Sequence, residues 1–171
     1  HTLFPYTTLF RSAMNSGNPF YQSGLRFTCT RCSICCRFDS GYVWLSDRDL
    51  ARLASGLGIS ASEVIRKYCT MVDIGGFRQL SLAEQENKDC VFWVNGACSV
   101  YGHRPLQCRS FPFWSPFLGS RRDWDALESM CPGVNIGELH GAGEIEQWLS
   151  ARRWETPLDA GSLKNGGGDE S

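Results

Sequence analysis

"TCTRCSICC", residues 28–36, packs Cys29, Cys32, Cys35 and Cys36 into eight positions. What these sulfurs hold decides how the rest of the chain is read. Nine cysteines occur in all, the others being Cys69, Cys90, Cys98, Cys108 and Cys131. Nine in 171 is about 5%, below the ~8–10% of a disulfide-stapled miniprotein. The count is odd and no secretory leader is evident. A reduced, cytoplasmic chain is therefore expected, in which clustered cysteines bind metal or do redox chemistry.

A Cys-x-x-Cys turn brings two thiolates onto one metal. Cys29-x-x-Cys32-x-x-Cys35 offers three in one wrap, like the start of a bacterial-ferredoxin ligand run. Tetrahedral zinc would need a fourth ligand from elsewhere. Cys35 and Cys36 constrain both options. Consecutive side chains diverge, so the pair is expected to divide its roles: two metals, a bridge, or one thiol outside the centre. Eight cysteines without Cys69 permit two four-sulfur sites, or one iron–sulfur cluster with spare thiols. Disulfides, or reduced thiols that hold nothing, are the plainer alternatives.

Outside the cysteines the composition is ordinary, with 42% hydrophobic and 20% charged residues and a net charge of −1. No basic field points to nucleic acid, and no apolar run approaches the ~18–20 residues of a membrane span. "TLFPYTTLFRS", residues 2–12, resembles a translated sequencing adapter. Residues 1–13 read as an artefact, with Met14 as the start. Residues 14–27 read as a flexible lead-in, 28–155 as one metal-binding domain, and 156–171 as a disordered tail.

Within that domain, "SDRDLARLASGLG" (46–58) predicts a helix capped by Ser46 and stopped at Gly58. Leu50, Leu53, Ala54 and Leu57 form its apolar face. "ISASEVIRKYC" (59–69) predicts a second helix with a Ser60–Glu63 capping box and Cys69 on the core face. "FRQLSL", "CVFWV" and "CSVY" read as strands. Asn95-Gly96 signals a hairpin. A two-residue turn would put Cys90 and Cys98 on opposite faces of regular strands. If both serve one centre, a bulged three-residue loop, Asn95–Ala97, is expected. Residues 103–113 predict a helical turn with Pro105 at its first position. Residues 114–130 read as irregular, 131–133 as a turn and 143–154 as an amphipathic helix.

Arg104 and Arg109 flank Cys108 and are candidates to interact with the centre's thiolates. Arg31 and Arg37 read equally well as exposed. His103 reads as an exposed turn residue, and His140 carries no pattern.

"CTRCSICC", "CVFWVNGACSVYGHRPLQCRSFPF" and a later "CP" together resemble the YkgJ-like CxxCxxCC cysteine-cluster family of zinc- or iron-chelating domains. The resemblance runs from about Leu25 to Gly133. It implies an iron–sulfur cluster, or zinc or iron ions, on Cys29, Cys32, Cys35, Cys36, Cys90, Cys98, Cys108 and Cys131. Ser33 stands where family members often have Gly. A flagellin lysine methylase branch shares the cluster, which leaves a redox or protein-modifying enzyme as the alternative. No glycine-rich nucleotide loop supports a methyl donor here. The expectation is a small, mostly helical α+β domain around a thiolate metal centre, with one short β-hairpin.

Overall fold

The computed structural model describes residues 18–37 and 40–165. The expected artefact and Met14 lie outside them, as does the end of the tail.

Ser46 starts the first predicted helix. Its side chain accepts from the Asp49 amide while the Asp49 carboxylate accepts from the Ser46 amide, a reciprocal capping box. Helix α1, Asp47–Leu57, stops at Gly58, whose φ of 66° needs no Cβ. Ser60 and Glu63 cap α2, Ala61–Tyr68, in the same way. Leu50 and Leu53 of α1 and Val64 of α2 turn inward.

The chain then becomes extended at Cys69. Strands β2, Cys69–Ile74, and β3, Phe77–Leu82, pair antiparallel from Cys69↔Leu82 to Ile74↔Phe77. Leu80, Leu82, Phe92 and Val100 complete one core with α1 and α2. The expected tail joins this core. The Leu158 amide donates to Leu45 and its carbonyl accepts from Leu80, both at 2.8 Å, and its side chain is buried. Helix α6, Ala160–Asn165, follows.

A second core forms where a loose lead-in was expected. Strand β1, Leu25–Phe27, pairs antiparallel with β6, Val134–His140. Leu25 and Tyr21 are buried beside Trp124, Leu127, Val134 and Ile145. Trp124 belongs to α4, Arg121–Ala126, which lies in the stretch read as irregular. Its ring stacks on Phe113 at 5.7 Å and its indole N–H donates to Asn135. The last predicted helix is α5, Ala142–Trp154, with Ile145 buried and Trp148 and Leu149 packed beside it.

The α+β class stands, with three two-stranded antiparallel sheets among the described residues where one hairpin was expected. The third is β4, Trp93–Val94, with β5, Ala97–Cys98. The described parts of the expected lead-in and tail supply backbone partners to the two cores.

Candidate metal centre

Thr28 fixes one end of the cysteine loop. Its amide donates to Gly133 and its hydroxyl accepts from the Glu138 amide. A Cβ at Gly133 or Gly137 would collide with Thr28, so this close approach requires glycine at both positions. Arg31 and Ser33 then take φ values of 56° and 60°, which curl the loop. A 3₁₀ turn, Ile34–Cys36, closes it. The Cys36 carbonyl accepts from the Cys90 amide at 2.8 Å, docking the loop on the downstream half of the site.

The hairpin downstream takes the two-residue register, and Cys90 lies outside its regular strands. Trp93 pairs with Cys98 and Val94 with Ala97, around a two-residue turn at Asn95 (φ 52°) and Gly96 (φ 79°). The bulged loop is absent. Cys90 nevertheless faces the same cavity as Cys98, because it precedes β4 and is not in it. A turn from the Trp93 amide to the Cys90 carbonyl breaks the alternation of faces.

Helix α3, Leu106–Ser110, carries Cys108. Pro105 sits one residue before the first helical position, as the cap residue, and has no side chain able to cap. Asp49 of α1 supplies that function. Its Oδ1 accepts from the Leu106 amide at 2.7 Å, fully buried. Gln107 ties the helix to the segment before α1, accepting from the Trp44 amide and donating to the Tyr42 carbonyl. Cys131 enters from the turn that leads into β6.

These elements bring all eight predicted ligands to two adjoining cavities. A cavity of about 140 Å³ is lined by Cys29, Cys35, Cys36, Cys90, Cys98 and Cys108. A smaller one, about 80 Å³, is lined by Cys29, Cys32, Cys35, Cys108 and Cys131. Cys29, Cys35 and Cys108 line both. Cys69 lines neither and packs in the α1–α2 core, as expected. Among the described residues no three Cys, His, Asp or Glu side chains already converge as a finished metal site.

Cys35 and Cys36 sit side by side in the 3₁₀ turn. Both line the larger cavity. Successive residues of a 3₁₀ turn are about 120° apart, so neighbours can flank one space. Cys35 alone of the two also reaches the smaller cavity.

The thiols differ in charge preference. The Cys36 thiol lies between Cys35 and Cys98, and hydrogen bonding to each pushes its pKa up strongly. The same bonds bring Cys35 down to about 7 and Cys98 down to about 6, against the opposing effect of burial, with the Arg104 guanidinium helping. Burial pushes Cys90, Cys108 and Cys131 up.

Arg104 lines both cavities, and Arg109 the smaller. Arg109 Nε donates to the Arg104 carbonyl at 3.0 Å, and Arg104 Nε to the Tyr101 carbonyl at 2.8 Å. Arg31 and Arg104 both lie over the Tyr101 ring, 4.3 and 3.6 Å from its centroid. Arg37 lies over Trp93 and pairs with Asp89. His103 is exposed and lines neither cavity. His140 instead serves the β1–β6 core, bonding to Phe27 and Glu144. Sequence reasoning missed Asp49 and Tyr101, since their partners Leu106 and Arg31 are far along the chain and leave no local pattern.

No helix among the described residues is long and apolar enough to cross a membrane. An uncharacterized protein of Methanocaldococcus jannaschii, MJ0661, is 30% identical over 97 residues, covering 54% of this chain. The chain spans about half of that relative's length. No solved structure matches. The CxxCxxCC family, described as "Putative zinc- or iron-chelating domain", matches residues 28–132. That stretch holds all eight cavity-lining cysteines, and the chain belongs to the CxxCxxCC family.

Proposed function

We propose that the protein binds metal through its eight clustered cysteines, as a polynuclear iron–sulfur centre held between the two cores. The observation that carries this reading is the pair of adjoining cavities with three shared sulfurs. The larger, at about 140 Å³, exceeds the ~10–15 Å³ occupied by one water-sized sphere by about tenfold. That is more room than one ion among four thiolates uses. Cys29, Cys35 and Cys108, reaching both spaces, are the candidates to link two parts of one centre.

The donor set fits zinc and iron. Neither cavity is lined by a carboxylate or histidine among the described residues. Soft thiolates select zinc or iron–sulfur clusters over calcium or magnesium. A bound cluster would supply one-electron chemistry, whereas zinc would supply a redox-inert tie. A reducing, cytoplasmic setting suits nine unpaired thiols.

The test is anaerobic purification with iron, sulfide and zinc analysis and a visible spectrum. Iron and acid-labile sulfide with broad absorption are expected. Colourless protein with stoichiometric zinc overturns the cluster. Metal-free protein that folds normally overturns metal binding altogether.

A further inference from the structure

Tyr101 stands outside the cysteine pattern, yet it meets both halves of it. The Arg31 guanidinium, from inside the Cys29–Cys36 loop, lies 4.3 Å from the ring centroid. The Arg104 guanidinium, from the segment leading into α3, lies 3.6 Å from it. The Cys29 thiol, two residues before Arg31, lines the same cavity as the phenol ring. All four residues line the larger cavity. Arg104 is itself held by the Tyr101 carbonyl, and its own carbonyl is held by Arg109.

The exposed loop has few other ties between its ends. Cys29, Cys32 and Cys35 are exposed, and Ser33 reaches Gly96 only at 3.5 Å. A thiolate-rich centre also gathers excess negative charge, which two guanidiniums beside it can balance. A cation packed on an aromatic face is attracted by the ring's quadrupole, and more strongly once desolvated.

Resting on the metal reading above, we infer that Tyr101, with Arg31 and Arg104 packed on its ring, is a positioning clamp that holds the Cys29–Cys36 loop against the downstream half of the site and balances the charge of the metal centre. The three residues join the two halves of the cysteine set without using sulfur. The Tyr101 ring sets where the Arg31 side of the loop lies, and the arginines make a high local thiolate charge tolerable.

The experiment compares Tyr101→Phe, Tyr101→Leu, Arg104→Gln and Arg104→Lys with the wild-type chain, using Co(II) alone as the probe under anaerobic conditions. Tyr101→Phe keeps the ring on which both guanidiniums pack, so its Co(II) release and amide exchange are expected to stay within about twofold of wild type. Tyr101→Leu and Arg104→Gln are expected to release Co(II) to a chelator at least about tenfold faster. Arg104→Lys, which keeps the charge, recovers part of that loss. In metal-free protein, amide exchange over residues 28–37 is expected to rise about tenfold in Tyr101→Leu, with α1 unchanged. Unchanged release and exchange in Tyr101→Leu, or losses in Tyr101→Phe as large as in Tyr101→Leu, overturn the clamp. Should Tyr101→Leu fail to fold, Arg31→Gln, at an exposed position, is judged by the same release and exchange criteria. If wild-type protein takes up no Co(II), the metal reading fails, and the exchange measurement alone decides the clamp.

Discussion

Two cysteines of similar appearance in the sequence part company at the level of the single residue. Cys69 packs beside the α1–α2 core and is pushed up to about 12 by burial, whereas Cys35 lines both cavities. Cys69→Ala is therefore expected to keep full metal stoichiometry and lose about 1 kcal/mol of stability. Cys35→Ser is expected to lose most of the metal, which elemental analysis of the two purified variants checks. Ser33 carries a different cost. Its φ of 60° is a left-handed conformation that disfavours a Cβ by about 1–2 kcal/mol, partly offset in a glycine by greater freedom of the unfolded chain. Ser33→Gly should raise thermal stability slightly, by about 0.5 kcal/mol, and Ser33→Val should lower it by more than about 1 kcal/mol. An unchanged melting temperature in both variants would contradict this account.

The junction of α1 and α3 is where one element's cap becomes another element's anchor. Asp49 closes its own helix through Ser46 and also receives the Leu106 amide of the helix that carries Cys108. Asp49→Ala leaves that buried amide unpaired and is expected to cost about 3 kcal/mol, measured by urea unfolding. The same variant should hold metal less tightly, because α3 loses its fixed start. Half of this junction was legible in the sequence. The Ser46–Asp49 spacing and the leucine periodicity of α1 need only local information, and so do the Ser60–Glu63 box of α2 and the Asn95-Gly96 turn. Other elements were hidden for physical reasons. Strand β6 contains Asn135 and Gly137 with positive φ, residues that normally end strands. Helix α4 is short, and its clearest local signal is the single Ser120–Asp123 cap. The cysteine set was legible because Cys-x-x-Cys spacing is chemical. How Cys90 and Cys98 share a cavity was not, since a turn outside the strands decides it.

Across the whole molecule, the ligand-bearing segments run between two separate hydrophobic cores. Cys131 belongs to one core, while Cys90 and Cys98 pack against the other. Metal should therefore couple the cores. Calorimetry is expected to show one unfolding transition in loaded protein and two, or one broadened transition, after chelation. A single sharp transition in both states would show that the cores are already coupled without metal. A pH effect is expected from Tyr21, whose phenol is pushed up to about 12 by burial and by its hydrogen bond to Glu146. Its contribution is intact below about pH 10. Between about 10 and 12 the unfolded chain releases this proton while the folded one keeps it, so stability falls as pH rises. Comparing wild type with Tyr21→Phe in urea at about pH 9 and about pH 11.5 should show that slope reduced in the variant. The backbone ties of Leu158 to Leu45 and Leu80 carry a last consequence. The stretch that marks the family, 28–132, stops before β6, α5 and Leu158, and starts after β1. A chain trimmed to that stretch would keep every cavity-lining cysteine and lose the strand pair beneath Thr28 and the ladder beside Leu45. The unit recognisable by its letters is smaller than the unit over which the two cores are built.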